Sequence, residues 1–421
     1  MSQDERFCAW IDSSVTECLH DGIVDFQELV ARLPSIYPTS IIDSLARIKR
    51  VERGNLRVTA GALIDSSKSK RFDTVIESAG MRKLLPPHPL DFEWRFSEAS
   101  SSKLLAFAKG LSSSPARVAL VATPSVAIHS DVVTSGCAFA YFGKDVARIR
   151  SVALDSSIKE WHHVDLSKRP TTYGSFDAVI MDPPWYSEYV YRFLWFASSI
   201  LELGGHLLLS LPGAGTRASV VEDMHLYKGW WESLGFIHAR SETQSIPYNT
   251  PFFEYNALLA AGVANFSSTW RRGDLIHLQR TQRHSNPWPG DVCHTQWVEF
   301  AIDKVRIRID PHASCTGRSP RLVPLLAGDV LPSVSRRHPL RSKACVWTSG
   351  NRIFDCEAPM ELAAALGKAA NYSSELNSLA LASLQSKGAE LGDLKSQLER
   401  LVEIETNEIL SYQGQARETA S

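Results

Sequence analysis

Short apolar strands alternate with helices between residues 95 and 263. Several strand segments, such as 118–121 and 137–142, are continuous apolar runs, which is typical of strands that are covered on both faces. The helices between them supply the covering layers, and one of them ends at Gly204, a common helix stop. The pattern therefore predicts an α/β fold in which a parallel sheet carries helices on both faces.

Seven strands are predicted in this region, which we assign to one domain over residues 80–264. The last two strands are joined by a loop and are expected to form an antiparallel pair. The predicted strands are 118–121, 137–142, a short one around 164, 176–181, 206–211, 236–241 and 253–261.

Polar side chains follow three of the predicted strands. Asp145, Asp165 and Asp182 each come after an apolar run. Ligands of open parallel sheets bind outside the carboxyl ends of the strands, where the strand order reverses. We therefore expect these three carboxylates to lie along one edge of the sheet, together with the glycine-containing loop 211–217.

The segment Asp182-Pro183-Pro184-Trp185 directly follows the fourth strand and has a chemical logic of its own. An exocyclic aromatic amine is a poor nucleophile, and hydrogen-bond acceptors for both of its N–H groups localise its lone pair. The Asp182 carboxylate and the Pro183 carbonyl are two such acceptors, and proline fixes the backbone that holds them. Trp185 or Tyr186 offers a flat face for a base. The alternative is a turn followed by a core tryptophan.

This motif and its setting resemble S-adenosylmethionine-dependent amino methyltransferases of the adenine-N6 type, including the messenger-RNA adenosine methyltransferase family. The chain from about 95 to 263 is similar to their whole seven-strand fold. The resemblance implies S-adenosylmethionine as cofactor and adenine N6 in DNA or RNA as the methyl acceptor, with the base flipped out of a duplex. It also implies four catalytic residues, namely Asp182, Pro183, Pro184 and Trp185.

The same resemblance implies a cofactor site and a substrate site. The cofactor site has the loop after the first strand beneath the methionine part, Asp145 at the ribose and Asp165 at the adenine amine; either carboxylate could instead be a solvated loop residue. The loop departs from the family pattern because it contains no glycine. Its residues are Ala122, Thr123, Pro124 and Ser125. The substrate-binding candidates are Tyr186, Gly213, Thr216 and Arg217, of which the last three could cradle a phosphate or simply turn the chain.

Two other functions fit the sequence. An N-terminal winged helix, a methyltransferase-like core and a DPP-aromatic motif also resemble the branched-chain polyamine synthases, which transfer an aminopropyl group from decarboxylated S-adenosylmethionine. Those enzymes have an acidic run in the first loop, where this chain has Ala-Thr-Pro-Ser. The other function is a catalytically silent methyltransferase fold that serves as a scaffold, which the glycine-free loop favours and the intact DPPW opposes.

Three further segments flank the central domain. Residues 1–70 are predicted to form three helices and a strand at 56–58, which resembles a winged-helix domain that contacts DNA, or else a helical cap or dimerisation module. Residues 265–357 form a small β-rich module, with hairpins around 298–309 and 345–356. The tail 358–421 is helical. Leucines 384, 391 and 398 are seven apart and indicate a short coiled coil or a packed helical hairpin, so the terminal helices are candidate contacts for a homodimer or another protein.

The near-neutral charge of the chain is a cancellation. There are 45 basic and 46 acidic side chains, which excludes a uniformly basic protein. Residues 271–345 carry 13 basic and 6 acidic side chains, whereas residues 372–421 carry 4 and 8. The basic segment could grip a phosphate backbone or pair with the acidic tail.

Cysteine usage and hydropathy indicate a soluble cytoplasmic protein. The seven cysteines form no CxxC pair, so neither a disulfide framework nor a zinc ribbon is predicted. Cys293, His294, His312 and Cys315 lie near one another in the sequence, but their spacing matches no standard zinc finger. No uncharged apolar run approaches the roughly 20 residues of a membrane span.

Overall fold

The computed structural model divides the chain into two compact units. Unit 1 comprises Met1–Leu84, Trp94–Thr250 and Ala264–Cys293, and unit 2 comprises Leu85–Glu93, Pro251–Val263 and His294–Ser421. The described residues contain no helix with the length and apolar character needed to cross a membrane. The structure describes residues 1–52, 54–69, 71–72, 79–111, 116–134, 136–153, 158–292, 297–313, 321–370 and 389–414.

Unit 1 is built on an eight-stranded mixed sheet with helices on both sides, which confirms the predicted α/β class. The strands of unit 1 are β1 (Arg71–Phe72), β2 (Arg95–Phe96), β3 (Arg117–Val121), β4 (Ala138–Gly143), β5 (Ile158–His163), β6 (Phe176–Met181), β7 (Leu201–Pro212), β8 (Phe236–Asn249), β9 (Asn265–Phe266) and β10 (Arg272–Arg280). The sheet order is β2-β8-β10-β7-β6-β3-β4-β5, and β1 pairs separately with β9.

The helices of unit 1 include a four-helix N-terminal group, α1 to α4. A capping box begins the first of them: the Ser2 hydroxyl accepts from the Glu5 N–H (3.1 Å) and the Glu5 carboxylate accepts from the Ser2 N–H (2.6 Å). The helices are α1 (Gln3–His20), α2 (Phe26–Arg32), α3 (Pro38–Val51), α4 (Asn55–Ser66), α5 (Ala79–Lys83), α6 (Glu98–Gly110), α7 (Pro124–Ala127), α8 (Asp131–Thr134), α9 (Val146–Arg150), α10 (Ser187–Ile200) and α11 (Val220–Ser233).

The strand order reverses between β3 and β6. From β3 the chain adds β4 and β5 on one side, and it then crosses back to place β6 and β7 on the other side. These five strands are parallel, and the apolar residues of β3 and β6 are buried, as strands covered on both faces must be. The carboxyl ends of β3 and β6 are therefore the expected ligand edge.

The final antiparallel pair differs from the predicted one. Residues 253–261, predicted as a strand, belong to helix α12 (Phe252–Ala260) of unit 2, and the partner of β8 is β10. A short apolar run has no visible period, so the prediction had no means to separate a buried helix from a strand. Pro251 in extended backbone begins the helix. Residues 272–280, which the sequence assigned to the β-rich module, form β10 of the large sheet. The other limits of the predicted domains stay predictions.

The strand predicted at 56–58 is also wrong, because these residues lie in α4. Gly54, with φ +72°, turns the chain into this helix, and Ala60 and Leu63 are buried at helical spacing. Val58, whose β-branched side chain indicated a strand, is 72% exposed. The described residues 54–69 therefore contain no wing strand.

Unit 2 contains a five-stranded antiparallel sheet with the order β11-β12-β14-β15-β13. Both predicted hairpins are confirmed: β11 pairs with β12 about Asp303, and β14 pairs with β15 about Asn351, both residues having positive φ. The elements are β11 (Val298–Ile302), β12 (Val305–Ile309), β13 (Leu322–Pro324), β14 (Val346–Thr348), β15 (Ile353–Cys356), α12, a 3-10 helix (Pro339–Lys343), α13 (Pro359–Ala370) and α14 (Ala389–Tyr412).

Part of the basic segment 271–345 is used inside unit 2. The Arg306 side chain is 2% exposed, and its guanidinium lies 2.6 Å from both the Asp91 and the Glu299 carboxylates. Arg308 pairs with the same two acids. Although burial acts in the opposite direction, these arginines lower the pKa of Glu299 to about 2. The two arginines thus stabilise the sheet rather than offer charge to a phosphate backbone.

The described part of the C-terminal tail packs within unit 2. Glu405 of α14 is fully buried and accepts hydrogen bonds from the Gly350 N–H (3.0 Å) and the Thr348 hydroxyl. Leu398 and Leu401 are buried, and Leu384 lies outside the described residues. These contacts are those of a packed helix, and a homodimer through the tail remains a prediction.

Gly235 gives a direct test of the fold. It has φ +83° at the end of α11, and a Cβ there would lie 2.2 Å from the Gln282 carbonyl oxygen. We expect Gly235→Ala to lower the free energy of unfolding by about 1–2 kcal/mol from the left-handed backbone alone, and further from the clash. Gly229→Ala in the same helix meets no atom within 4 Å and is expected to raise it by about 0.5–1 kcal/mol. Equal melting temperatures of the Gly235→Ala and Gly229→Ala variants would contradict the placement of the turn at Gly235.

Candidate functional site

The structure brings the DPPW segment and the predicted cofactor loop to one edge of the sheet. The Asp182 N–H donates to the Val121 carbonyl at the end of β3 (3.3 Å). The Ala122 N–H donates to the Phe142 carbonyl at the end of β4 (2.9 Å). The loop after β3 and the segment after β6 are therefore adjacent, as the strand reversal requires.

Asp182 is held by a tyrosine from a different part of the sheet. The buried Tyr248 of β8 donates its hydroxyl hydrogen bond to Asp182 Oδ1 (2.7 Å), and its oxygen also lies 2.7 Å from Ser210 Oγ of β7. Burial raises the pKa of Asp182 well above its ordinary value, and the Tyr248 hydrogen bond offsets part of that rise. Burial and the neighbouring Asp182 charge raise the pKa of Tyr248, so the phenol keeps its proton and remains a donor.

Aromatic rings enclose this pair. The Trp185 ring meets the Tyr248 ring edge-on, with 5.4 Å between centroids, and Phe96 packs on Tyr248 at 4.9 Å. Gly273 of β10 makes room for this arrangement, since a Cβ there would lie 3.1 Å from Trp185 and 2.5 Å from Ser210 Oγ. Asp182 and Trp185 thus share an aromatic pocket that β7, β8 and β10 complete.

A guanidinium lies beside the pocket. Arg271 Cζ is 3.8 Å from the ring centroid of Trp94, 5.0 Å from that of Trp270 and 5.9 Å from that of Trp185. At these distances the positive charge is attracted to the ring faces. In the sequence, Arg271 is only one of the arginines of the basic segment, and Trp94, Ser210 and Tyr248 carry no signal of a site. Only the folded sheet brings Tyr248 to Asp182 and to Ser210.

The glycine-free loop adopts the turn that glycine favours. Ala122 has φ +53°, in the left-handed region, which costs an alanine roughly 1–2 kcal/mol. The Thr123 hydroxyl is buried and has no hydrogen-bond partner among the described residues, an uncommon state for a polar group. Ser125 Oγ accepts from the Phe96 N–H (3.1 Å). A cofactor role for this loop remains a prediction.

The two other predicted acids have partners within the protein. Asp165 accepts hydrogen bonds from Lys144 Nζ (2.9 Å) and from the Ser167 N–H (2.9 Å). Burial acts to raise the pKa of Asp165, but the Ser167 and Lys144 hydrogen bonds outweigh it and lower that pKa. Asp145 precedes α9 and lies 3.9 Å from Arg148. Both carboxylates follow parallel strands at the same edge, and their cofactor roles remain predictions.

The loop after β7 is tied to its surroundings. The Thr216 N–H donates to the Gly213 carbonyl (3.0 Å), and the Arg217 guanidinium lies 2.8 Å from Asp223 and 5.7 Å from the Tyr186 ring centroid. Asp223 neutralises the positive charge of Arg217, with which a phosphate would have to pair. These contacts are those of a chain turn, and a substrate role for the loop remains a prediction.

The four Cys and His residues whose spacing matches no standard zinc finger fall mostly outside the described residues. Cys293, His294 and Cys315 lie outside them, and His312 lies within them. Among the residues that the structure describes, no group of three or more His, Cys, Asp and Glu side chains is arranged to hold a metal ion.

Together, the five parallel strands and the reversal of their order define a Rossmann-like α/β fold, whose expected ligand edge lies after β3 and β6. No protein-family model and no curated protein matches the chain. Among solved structures, the chain is similar to the C9 mutein of the branched-chain polyamine synthase from Thermus thermophilus, in complex with N4-aminopropylspermidine and 5'-methylthioadenosine. The TM-score is 0.50 at 14% identity, over 69% of this chain and 95% of that chain. This likeness establishes the fold.

Two further solved structures have lower scores. The branched-chain polyamine synthase from Thermus thermophilus matches with a TM-score of 0.43 at 14% identity, over 68% of this chain and 91% of that chain. A protein described as a putative sarcosine dimethylglycine methyltransferase, from Galdieria sulphuraria, matches with a TM-score of 0.32 at 11% identity, over 44% and 84%.

Proposed function

We propose that this chain is an S-adenosylmethionine-dependent methyltransferase that acts on an exocyclic aromatic amine, with adenine N6 in DNA or RNA as the acceptor. One observation carries the proposal: Asp182 presents a carboxylate in an aromatic pocket at the ligand edge, and Tyr248 holds one of its oxygens at 2.7 Å. The site thus offers an oriented acceptor beside a ring-binding surface.

The residues of the site would activate the amine by accepting its hydrogen bonds. Because Tyr248 occupies Asp182 Oδ1, the second carboxylate oxygen is left to accept one amine N–H. The Pro183 carbonyl accepts the other, and the lone pair then points away from both acceptors. S-adenosylmethionine would supply an electrophilic methyl carbon on a sulfonium: the N–C bond forms as the C–S bond breaks, and the amine proton passes to Asp182 or to water.

The loop after β3 is the proposed cofactor support. Thr123 would give its unpartnered hydroxyl to the cofactor, and the left-handed turn at Ala122 brings the backbone close to it. Asp145 and Asp165 would face the ribose and the adenine. The position of these residues at the carboxyl ends of β3, β4 and β5 supports the proposed roles.

The pocket suits a neutral ring better than a polycation. Arg271 lies over Trp94 and 5.9 Å from the Trp185 ring centroid, so a positive charge already borders the pocket. A second cation would be repelled there, whereas a nucleobase can stack on Trp185. This is the ground for placing an aromatic amine ahead of a polyamine.

Aminopropyl transfer to a polyamine is the second candidate. The observation that favours it is the raised pKa of Asp182, since a basic carboxylate can take a proton from an ammonium group before that amine attacks. It would need decarboxylated S-adenosylmethionine as the donor.

Calorimetric titration with each sulfonium donor tests the proposal. We expect S-adenosylmethionine to bind the wild type. Thr123→Val, which removes the hydroxyl at nearly constant shape, should weaken binding about tenfold and yet raise the melting temperature of the free protein, because it removes an unpartnered buried hydroxyl. Binding of the decarboxylated donor alone would favour the second candidate. Binding of neither would leave the scaffold function.

A further inference from the structure

A polar cleft lies along α10 of unit 1. Its volume is about 520 Å³. One wall is the carboxyl-terminal half of α10, and the opposite wall is the segment 284–288. The cleft also contains Arg169, Arg280 and the rings of Trp195 and Trp288. None of its lining residues belongs to the DPPW pocket or to the loop after β3.

The opposite wall is fixed to α10 at three levels. The Trp195 indole N–H donates to the Asn286 carbonyl (3.0 Å), and Arg192 Nη2 donates to the Gly290 carbonyl (2.9 Å). His284 Nε2 lies 2.7 Å from Ser198 Oγ. The cleft is therefore preformed, which reduces the entropy that a ligand loses on binding.

His284 forms part of the wall of the cleft and is not one of the groups that would bind a ligand. Its Nδ1 accepts from the Asn286 N–H (3.1 Å), and Ser198 Oγ donates to the Trp195 carbonyl (2.6 Å), so Nε2 carries the proton and donates to Ser198. Both ring nitrogens are thus used in the neutral form. Burial, and then the Arg280 charge, lower the pKa of His284, which agrees with this assignment.

Two guanidinium groups supply positive charge to the cleft. Neither Arg169 nor Arg280 forms an ion pair within the described part of the chain. Arg280 Nη1 donates to the Leu201 carbonyl, and its buried Nε has no hydrogen-bond partner among the described residues. Burial, and then repulsion from Arg283, lower the pKa of Arg280, and Glu202 acts against this. An anion in the cleft would relieve the repulsion between Arg280 and Arg283.

Asp291, an acid close to Arg169 and Trp288, is already engaged. Asp291 Oδ1 accepts from the Trp288 indole N–H (3.0 Å) and from the backbone N–H of Arg169 (3.0 Å). It therefore fixes the position of Trp288 and of the Arg169 backbone, and it does not pair with the Arg169 guanidinium.

We propose that this cleft binds a ligand phosphate through Arg169 and Arg280, with the attached planar ring against Trp195 and Trp288. Guanidinium forks match phosphate oxygens, and tryptophan rings stack with any base. The shared chemistry is that of a nucleotide, and its source is either a free mononucleotide or one unit of a nucleic-acid strand. The proposal does not depend on the proposed methyl transfer.

Calorimetric titration of the full chain tests this site. The probes are uridine 5'-monophosphate, uridine, and a short single-stranded oligonucleotide, and a pyrimidine is used so that the proposed adenine site is not probed. We expect the monophosphate or the oligonucleotide to bind and uridine not to bind. Arg169→Gln and Arg280→Lys should each weaken binding by at least about tenfold. The relative affinities of the monophosphate and the oligonucleotide identify the source.

Arg57→Gln, a change at an exposed arginine of α4, is the matched control and should leave binding unchanged. Arg169 is exposed, so its variant is expected to fold even if Arg280→Lys loses the Leu201 hydrogen bond. Failure of both phosphate probes to bind the wild type would overturn the proposal, and so would binding that Arg169→Gln leaves intact. S-adenosylmethionine titration of the same variants should be unchanged, which separates this result from the fate of the methyltransferase proposal.

Discussion

Asp182→Asn is expected to lower the rate of methyl transfer by about 10²- to 10⁴-fold without weakening the binding of S-adenosylmethionine. The asparagine keeps the shape of Asp182 and can still accept from Tyr248 at Oδ1. Its NH₂ group, however, takes the place of the oxygen that would accept the amine N–H. Single-turnover kinetics with saturating cofactor, beside calorimetric titration of the same variant, measure the two quantities separately.

Asp274→Asn is the matched control for this variant. Asp274 of β10 is another half-buried carboxyl whose pKa burial raises, but it accepts from the Gln244 N–H (2.7 Å) and not from Tyr248. We expect its replacement to leave the transfer rate within a few-fold of the wild type. An equal loss in both variants, or no loss in Asp182→Asn, would contradict the role given to Asp182.

Asp182→Asn is expected to stabilise the protein, although it lowers the rate of methyl transfer. The pKa of Asp182 is raised on folding, so its protonated form stabilises the protein below the unfolded value of 3.8, and this stability is lost as the pH rises through the folded pKa. The asparagine that replaces it does not titrate. The melting temperature of Asp182→Asn should therefore exceed that of the wild type by an amount that grows from acid to neutral pH.

Tyr248→Phe should shift the pH dependence of transfer toward higher pH. The Tyr248 hydrogen bond lowers the pKa of Asp182, so its loss raises that pKa further. Activity that needs the Asp182 carboxylate then appears only at higher pH, and the variant should be most impaired on the acid side. The measurement is kcat/KM as a function of pH.

Tyr191→Phe provides the comparison for this profile. Tyr191 of α10 packs on Trp230, with 5.1 Å between ring centroids. Its variant should keep the wild-type pH profile. A uniform loss of activity in Tyr248→Phe with an unshifted profile would mean that the phenol acts on packing and does not tune the pKa of Asp182.

Asp182 could be found from the sequence because its position is local. The apolar strand β6 runs directly into it, and two prolines follow. Tyr248 and Arg271 were missed for the opposite reason. Tyr248 lies near the end of β8, and Arg271 precedes β10. Tyr248 reaches Asp182, and Arg271 reaches Trp185, only because the sheet places β8, β10, β7 and β6 in that order. Strand order is a long-range property that periodicity does not contain.

The two wrong strand predictions, at 56–58 and 253–261, also have causes in the local sequence. Residues 253–261 combine an alternation of apolar and polar side chains, Phe253 to Asn256, with the uniformly apolar run 257–261, so no clear helical period is visible in them. Val58 favours a strand by intrinsic preference, but burial of Ala60 and Leu63 against the N-terminal helices decides for α4. Packing overrode preference in the segment around Val58, and the mixed pattern of residues 253–261 hid the period of the helix.

The central claim is tested most directly by identification of the methylated product. The wild type is incubated with isotopically labelled S-adenosylmethionine and adenine-containing single-stranded DNA and RNA, and the digested nucleosides are analysed by mass spectrometry. We predict labelled N6-methyladenine with the wild type and its loss with Asp182→Asn. Bound cofactor without any labelled nucleoside, or label found only in an added polyamine, would contradict it.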